Sequence, residues 1–405
     1  MDTALERQEN VKILFFNPFS YFLVHELPSA ILAEALAKKN NTVINIKCDG
    51  VLKNHCLCMS HVKFENREQK EAICIICKKN TKKLCREFNI KAFSIDDNCA
   101  KKNSNWQNLF KNLNGRNFFN FQYEKLPFGK IALYEFWLTH KLSTYEIPQI
   151  NYSEALALLR NCIYTFQSMT KILEKIKPDR IVMYNSLYSV NRVVCYLADQ
   201  MNIPHFTIHA GPNFARMYRQ LTIFKGLQAQ VEINRHPVLK RFQENPASSD
   251  HLKKVFEHAN QFLLAQSPWV YSKKSANISS EEFKEKIGAK NHRRVVLAVS
   301  RSNDERLAAK LSGLNIFKNK PIFENQAAWM DWLVKYASNH PDVFIIYRVH
   351  PREFPNKREN VLSENAKSIL KYIKNTTVPK NFFFNLPDQN ISLHDLLKIT
   401  DLHLS

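Results

Sequence analysis

Three times along this chain a short apolar run gives way to a stretch with helical spacing, which a second apolar run follows. Residues 11–16 (VKILFF), 28–39 (PSAILAEALAKK) and 42–47 (TVINIK) form the first instance. Residues 178–185 (PDRIVMYN), a helical pattern over 190–201 and 203–211 (IPHFTIHAG) form the second. The third runs through 294–300 (RVVLAVS), 326–339 and 341–351 (PDVFIIYRVHP). Strand, helix and strand in that order make parallel neighbours in an α/β sheet, with helices covering its faces. The pattern predicts two α/β lobes, 1–225 and 294–405, joined by a helical, charged connector over 226–293. A long amphipathic helix is expected over 153–176, ending before Lys177-Pro178. A short helix is expected over 393–399, with a further strand beginning at 401. A doubly wound lobe needs more strands and helices than 294–405 supplies, so the second lobe is expected to be cut short at Ser405.

Composition narrows the function. A chain of 405 residues exceeds one compact core. At 45% hydrophobic and 12% aromatic, it is no disordered chain. Only 7 glycines leave no Gly-rich phosphate loop, which argues against a P-loop nucleotidase or a dinucleotide enzyme. The net charge of +21 attracts polyanions: nucleic acid, acidic lipid, or anionic sugar nucleotides and glycans. The basic residues are scattered without an interleaved aromatic pattern, so no nucleic-acid partner is expected. No apolar run reaches the ~18 residues of a membrane helix, and the polar start MDTALERQEN is no signal peptide. A cytoplasmic chain with reduced cysteines is expected.

Ligands of open α/β sheets gather at the carboxyl ends of strands. His350, Arg352 and Glu353 follow such an end, with Arg348 just before it. Cationic side chains there would neutralise phosphates; the plain alternative is that Pro351 ends the strand and His350 caps it. Ser300 and Arg301 lie at the first strand-to-helix turn of the second lobe, where backbone N–H groups favour anions. In the loop 17–28 (NPFSYFLVHELP), His25 and Glu26 are candidates for deprotonating a hydroxyl, although His25 suits a packed ring equally well. Asn185 and Tyr188 close one strand, and His209, Gly211 and Asn213 close the next. The region 48–104 reads as an insert without its own core. It holds Cys48, Cys56, Cys58, Cys74, Cys77, Cys85 and Cys99. Cys48, Cys56 (or Cys58), Cys74 and Cys77 have spacing for a structural zinc; the alternative is a set of reduced, partly buried thiols.

Two places carry a family resemblance: the strand ends of PDRIVMYNSLYSVNRVVCYLADQMNIPHFTIHAG, and FIIYRVHPRE followed by ISLHDLLKITDLHLS. They resemble the GT-B glycosyltransferases of capsule and lipopolysaccharide synthesis, including the Kdo transferase-like group. The resemblance implies two Rossmann-like lobes, a nucleotide-sugar donor in the second and a glycan or glycolipid acceptor in the first. It also implies catalysis without a metal cofactor, and an acceptor reached peripherally at the inner membrane surface. The family's Ser-rich turn and Glu-bearing helix would follow Leu404-Ser405. Rival readings are a nucleotide-sugar 2-epimerase on the same scaffold and a non-catalytic binding protein.

Overall fold

The structure is a computed structural model that describes residues 10–96, 106–210, 221–229, 247–264, 273–276, 278–314, 322–356 and 360–405. The chain forms two compact units, each crossing the other's stretch of sequence. One comprises Met1–Leu138, Thr144–Pro237 and Ala308–Ile316; the other comprises Thr139–Ser143, Val238–Leu307 and Phe317–Ser405. Both are α/β.

The first unit holds a six-stranded sheet: β1 (Lys12–Phe16), β2 (Thr42–Lys47), β3 (Ala92–Ser94), β4 (Arg180–Tyr184), β5 (His205–Ala210) and β6 (Leu221–Lys225). Their order is β3-β2-β1-β4-β5-β6, parallel throughout except for β6, which pairs antiparallel with β5. Alternation along β1 sends Ile13 and Phe15 to one face and Leu14 and Phe16 to the other. The first pair packs with Ala33 of α1 (Leu23–Ala37). The second packs with α2 (Arg67–Glu87), α3 (Tyr152–Ile176) and α4 (Ser189–Gln200), through Ile73, Met169 and Val194. Both faces are thus dry, as continuous apolar strands require.

Helix α3 stops where Lys177 turns left-handed at φ 49°, its N–H reaching the Leu173 carbonyl, and Pro178 cannot resume the helix. Asp179 Oδ2 then accepts from the Lys12 N–H at 2.7 Å, which sets β4 beside β1.

Two expectations are corrected. The region after Cys48 is not set apart from the lobe: it has no separate core, but Leu52, Met59 and Ile73 enter the main core, and β3 extends the main sheet. The loop expected over 17–28 already becomes α1 at Leu23, with Pro28 inside it. His25 and Glu26 therefore ride on a helix.

The second unit holds a four-stranded parallel sheet: β7 (Arg294–Val299), β8 (Val343–Arg348), β9 (Phe382–Asn385) and β10 (Leu402–Leu404), ordered β10-β7-β8-β9. Val296, Ala298, Ile345 and Tyr347 pack under α7 (Gln326–Asn339) and α8 (Glu364–Asn375). Val295, Leu297, Phe344 and Ile346 pack under α5 (Ser280–Ile287) and α9 (Leu393–Lys398). Helix α6 (Asn303–Leu311) follows β7. Capping is local: Ser279 accepts from the Glu282 N–H, Asn325 from Ala328 and Ser363 from Ala366. Among the described residues, no helix is long and apolar enough to cross a membrane.

Candidate functional site

Each sheet has a point where the strand order reverses, and ligands of open α/β sheets bind outside the carboxyl ends of the strands at such points. In the first unit this point lies between β1 and β4; in the second it lies between β7 and β10.

At the first unit's switch point the residues are ring-bearing. His25 stacks on Tyr184 with centroids 4.6 Å apart and planes at 17°, and Tyr184 stacks in turn on His209 at 5.3 Å. Tyr188 lies 6.0 Å from the His25 ring. Burial, with His209 close by, lowers His25 to about 4, so its imidazole is neutral at physiological pH. A neutral, half-buried imidazole has the protonation state that a general base needs. Burial also pushes the Tyr188 phenol up, so it remains a proton donor.

The other expected residues on this unit are corrected. Glu26 is buried and ion-paired with Lys47 of β2, and burial raises its pKa against the pull of that lysine. Asn185 takes a left-handed backbone at φ 62° and accepts from the Leu187 N–H at 2.7 Å, which builds the turn between β4 and α4. Gly211 and Asn213 lie outside the described residues. His205 is buried, with Nε2 2.9 Å from Asp199 Oδ1.

One residue escaped the sequence reading altogether. Glu135, buried in the first unit, accepts from the Ser189 N–H at 2.7 Å and from the Ser189 hydroxyl at 3.1 Å, at the start of α4. Its Oε2 is buried without a hydrogen-bond partner among the described residues, and burial raises the carboxyl to about 7. Nothing in its local sequence, ALYEFWL, marks it; only the fold brings Ser189 to it.

At the second unit's switch point the residues are small and polar. Ser300 is buried; its hydroxyl accepts from the His350 N–H at 3.0 Å, and its own N–H reaches the Arg348 carbonyl at 3.0 Å. This ties the exit of β7 to the exit of β8. His350 is half-buried, and its Nδ1 accepts from the Arg352 N–H at 3.2 Å. That bond places the ring proton on Nε2. Burial, and then Arg352, lower His350 to about 4, so it acts as a neutral N–H donor rather than as the imidazolium expected. Arg301, beside Ser300, is exposed.

The charged neighbours are also corrected, since they brace the loop. Arg352 is buried, and its Nε and Nη2 lie 3.1 and 3.0 Å from Asp304 Oδ2. Glu353, buried and raised by that burial, accepts from the Asn303 N–H at 2.9 Å and from Ser363. It therefore occupies the first N–H of α6, which an anion would otherwise use. Arg348 is buried against Asn385 and the Ile391 carbonyl, and burial lowers it to about 10.

The cysteines converge more than their spacing suggested. Cys58, the alternative to Cys56 in the sequence set, stands beside both Cys56 and Cys77. They border a cavity of about 350 Å³, together with Cys48, Cys74 and Cys85. Burial pushes Cys48 up to about 12 and raises Cys74, whereas the hydrogen bond from Cys58 lowers Cys77 to about 7. Among the described residues, no three His, Cys, Asp or Glu side chains are disposed to hold a metal ion. Cys99 lies outside the described residues.

No protein-family model matches the sequence, and neither does any curated protein. Solved structures align over most of the chain, but distantly. A UDP-GlcNAc 2-epimerase from Neisseria meningitidis, bound to UDP-GlcNAc, is 12% identical, covers 93% of this chain and 72% of its own, and has a TM-score of 0.26. A spinosyn rhamnosyltransferase complexed with spinosyn aglycone is 12% identical over 97% of this chain and 74% of its own, with a TM-score of 0.22. A Leishmania major tyrosyl-tRNA synthetase is 9% identical over 94% and 78%, with a TM-score of 0.30. At such TM-scores the likeness carries no argument about activity. The fold class rests instead on the two parallel sheets themselves.

Proposed function

We propose that this chain is a nucleotide-sugar-dependent enzyme of GT-B type that transfers a sugar to a glycan or glycolipid acceptor. One observation carries the reading: the Ser300 hydroxyl holds the His350 backbone, so that a neutral imidazole N–H and the Ser300–Ser302 turn stand together at adjacent strand ends in the second unit. Neutral donors of this kind bind phosphate oxygens without first being stripped of a paired charge. The motif RVHPRE, on which the family resemblance rests, supplies that same histidine.

In this reading the second unit binds the donor through Ser300, Arg301 and His350. The first unit binds the acceptor through Tyr188 and His209, and His25 removes the proton of the attacking hydroxyl. Catalysis relies on side chains rather than on a metal. The capsule or lipopolysaccharide acceptor, the cytoplasmic location and the peripheral contact with the inner membrane belong to the same proposal, and the charge of +21 suits all three. The competing reading is epimerisation of a nucleotide sugar at carbon 2. It needs one residue to remove a carbon-bound proton and needs no acceptor.

The test is thermal stabilisation of the full chain by CMP, UDP and GDP sugars, with His350→Ala beside it. A ligand at a hundred times its Kd adds about 2.7 kcal/mol. Loss of that stabilisation in His350→Ala, with folding intact, supports the reading. A folded wild-type chain that none of these ligands stabilises overturns it. Product analysis with and without acceptor then separates transfer from epimerisation.

A further inference from the structure

The thiols beside the cavity in the first unit play no part in sugar chemistry. Cys77 lies on α2, half-buried and bordering the cavity. Its Sγ accepts from the Ser20 N–H at 3.2 Å. Cys58, buried, stands beside it and borders the same cavity. A backbone N–H aimed at the sulfur, with a second thiol beside it, favours the thiolate. The exposures assign different roles to the two residues: both border the cavity, but Cys77 is half-buried and the more accessible, whereas Cys58 is buried. Four lysines line the cavity (Lys47, Lys53, Lys78 and Lys82) against one aspartate, Asp49. Lys47 is paired with Glu26, and Lys78 lies 3.4 Å from Asp49.

We propose that Cys77 and Cys58 form a redox-active dithiol that is oxidised by small anionic disulfides entering this cavity. The Cys77 thiolate attacks one sulfur of the incoming disulfide. The new S–S bond forms as the reagent's own S–S bond breaks, and the departing thiolate takes a proton from solvent. Cys58 then loses its proton and attacks Cys77 Sγ, expelling the second thiolate, which takes up that proton. Two electrons pass from the protein sulfurs to the reagent: dithiol and disulfide become protein disulfide and two thiols. The lysines select the anionic class of reagent by raising its local concentration. This assignment does not depend on the proposed transferase activity.

Glutathione disulfide, a small anionic disulfide, is the probe, applied to the reduced full chain. The expected result is loss of two thiols per chain, with peptide mapping placing one disulfide between Cys58 and Cys77 and no glutathione retained. Cys58→Ser should trap the mixed disulfide on Cys77, and Cys77→Ser should abolish the reaction. If either variant misfolds, competitive alkylation of the wild-type chain decides. Cys77 should then react roughly tenfold faster than half-buried Cys74 at neutral pH. Glutathione spread over Cys74 and Cys85 without a Cys58–Cys77 link overturns the proposal. So does one zinc per purified chain whose removal is required before any thiol reacts. Equal rates with glutathione disulfide and an uncharged disulfide overturn the anionic preference.

Discussion

In the first unit the strand order reverses between β1 and β4, and the first turn of α1 with the ends of β4 and β5 brings His25, Tyr184 and His209 into one stack. In the second, the same reversal between β7 and β10 comes with Ser300, Arg301 and Ser302. Both sheets begin with the same winding, the first strand flanked by the second and the fourth. Winding therefore provides the reversal and leaves its chemistry to the residues at the strand ends. Each unit also holds a buried ion pair, Glu26 with Lys47 in one and Asp304 with Arg352 in the other. In both units, charges that a sequence reader would give to the ligand hold the loop in place.

The largest test of this parallel is to break the two pairs. Arg352→Met should cost about 3–5 kcal/mol of stability in denaturant unfolding, because it leaves Asp304 buried without its cation. Lys47→Met should cost less, about 1–3 kcal/mol, because Glu26 is already pushed up by burial and relieves the loss by taking a proton. Equal costs would mean that the pairs are not organised differently.

Next in size is a pH effect confined to the first unit. Glu135 is raised in the folded chain to about 7, so the native state binds the extra proton. The stability it contributes is complete below about pH 4.5 and is lost as pH rises through 7, ~3 kcal/mol in all. Glu135→Gln should remove that decline. The two histidines have the opposite sign. His25 and His350 are both lowered to about 4, so their contribution is present above about pH 6.5 and is lost as pH falls through 4. His25→Phe and His350→Gln should each flatten the acid limb by about 1–2 kcal/mol, after allowance for partial solvent screening. Stability measured from pH 4 to 8 in all three variants separates the signs.

The smallest effect is expected at Arg301, which is exposed. Arg301→Gln should leave stability unchanged and weaken nucleotide binding by at most ~1 kcal/mol, an effect that fades with added salt. A loss matching that of His350→Ala would move the site's centre to Arg301.

The strands were legible because each is a compact apolar run, and α3 because its pattern persists over 25 residues and ends at Lys177-Pro178. The start of α1 was not, because a proline is ordinarily read as a first-turn residue, whereas Pro28 stands well inside the helix. Helix α2 was hidden by its lysines and cysteines, although Asn66 caps it by accepting from the Gln69 N–H at 3.0 Å. His350 and Ser300 could be found from their place after strands. The inward pairing of Arg352 with Asp304 could not, because 48 residues separate the partners and only the register of β7 on β8 brings them together. The nearness of Cys58 to Cys77 was not legible, because it depends on the packing of α2 and not on spacing.

Ser20 remains, held to α2 from three sides: its N–H by Cys77 Sγ, its carbonyl by Asn80 Nδ2 at 3.0 Å and its hydroxyl by Thr81 Oγ1 at 2.9 Å. Five residues further on stands His25. Linkage makes any coupling through this knot reciprocal. Whatever factor the ionisation of Cys77 imposes on the affinity of a ligand that requires Ser20 in place, that ligand imposes on the proton equilibrium of Cys77. A thiol titration with and without ligand would thus report on the His25 crevice without any turnover being measured.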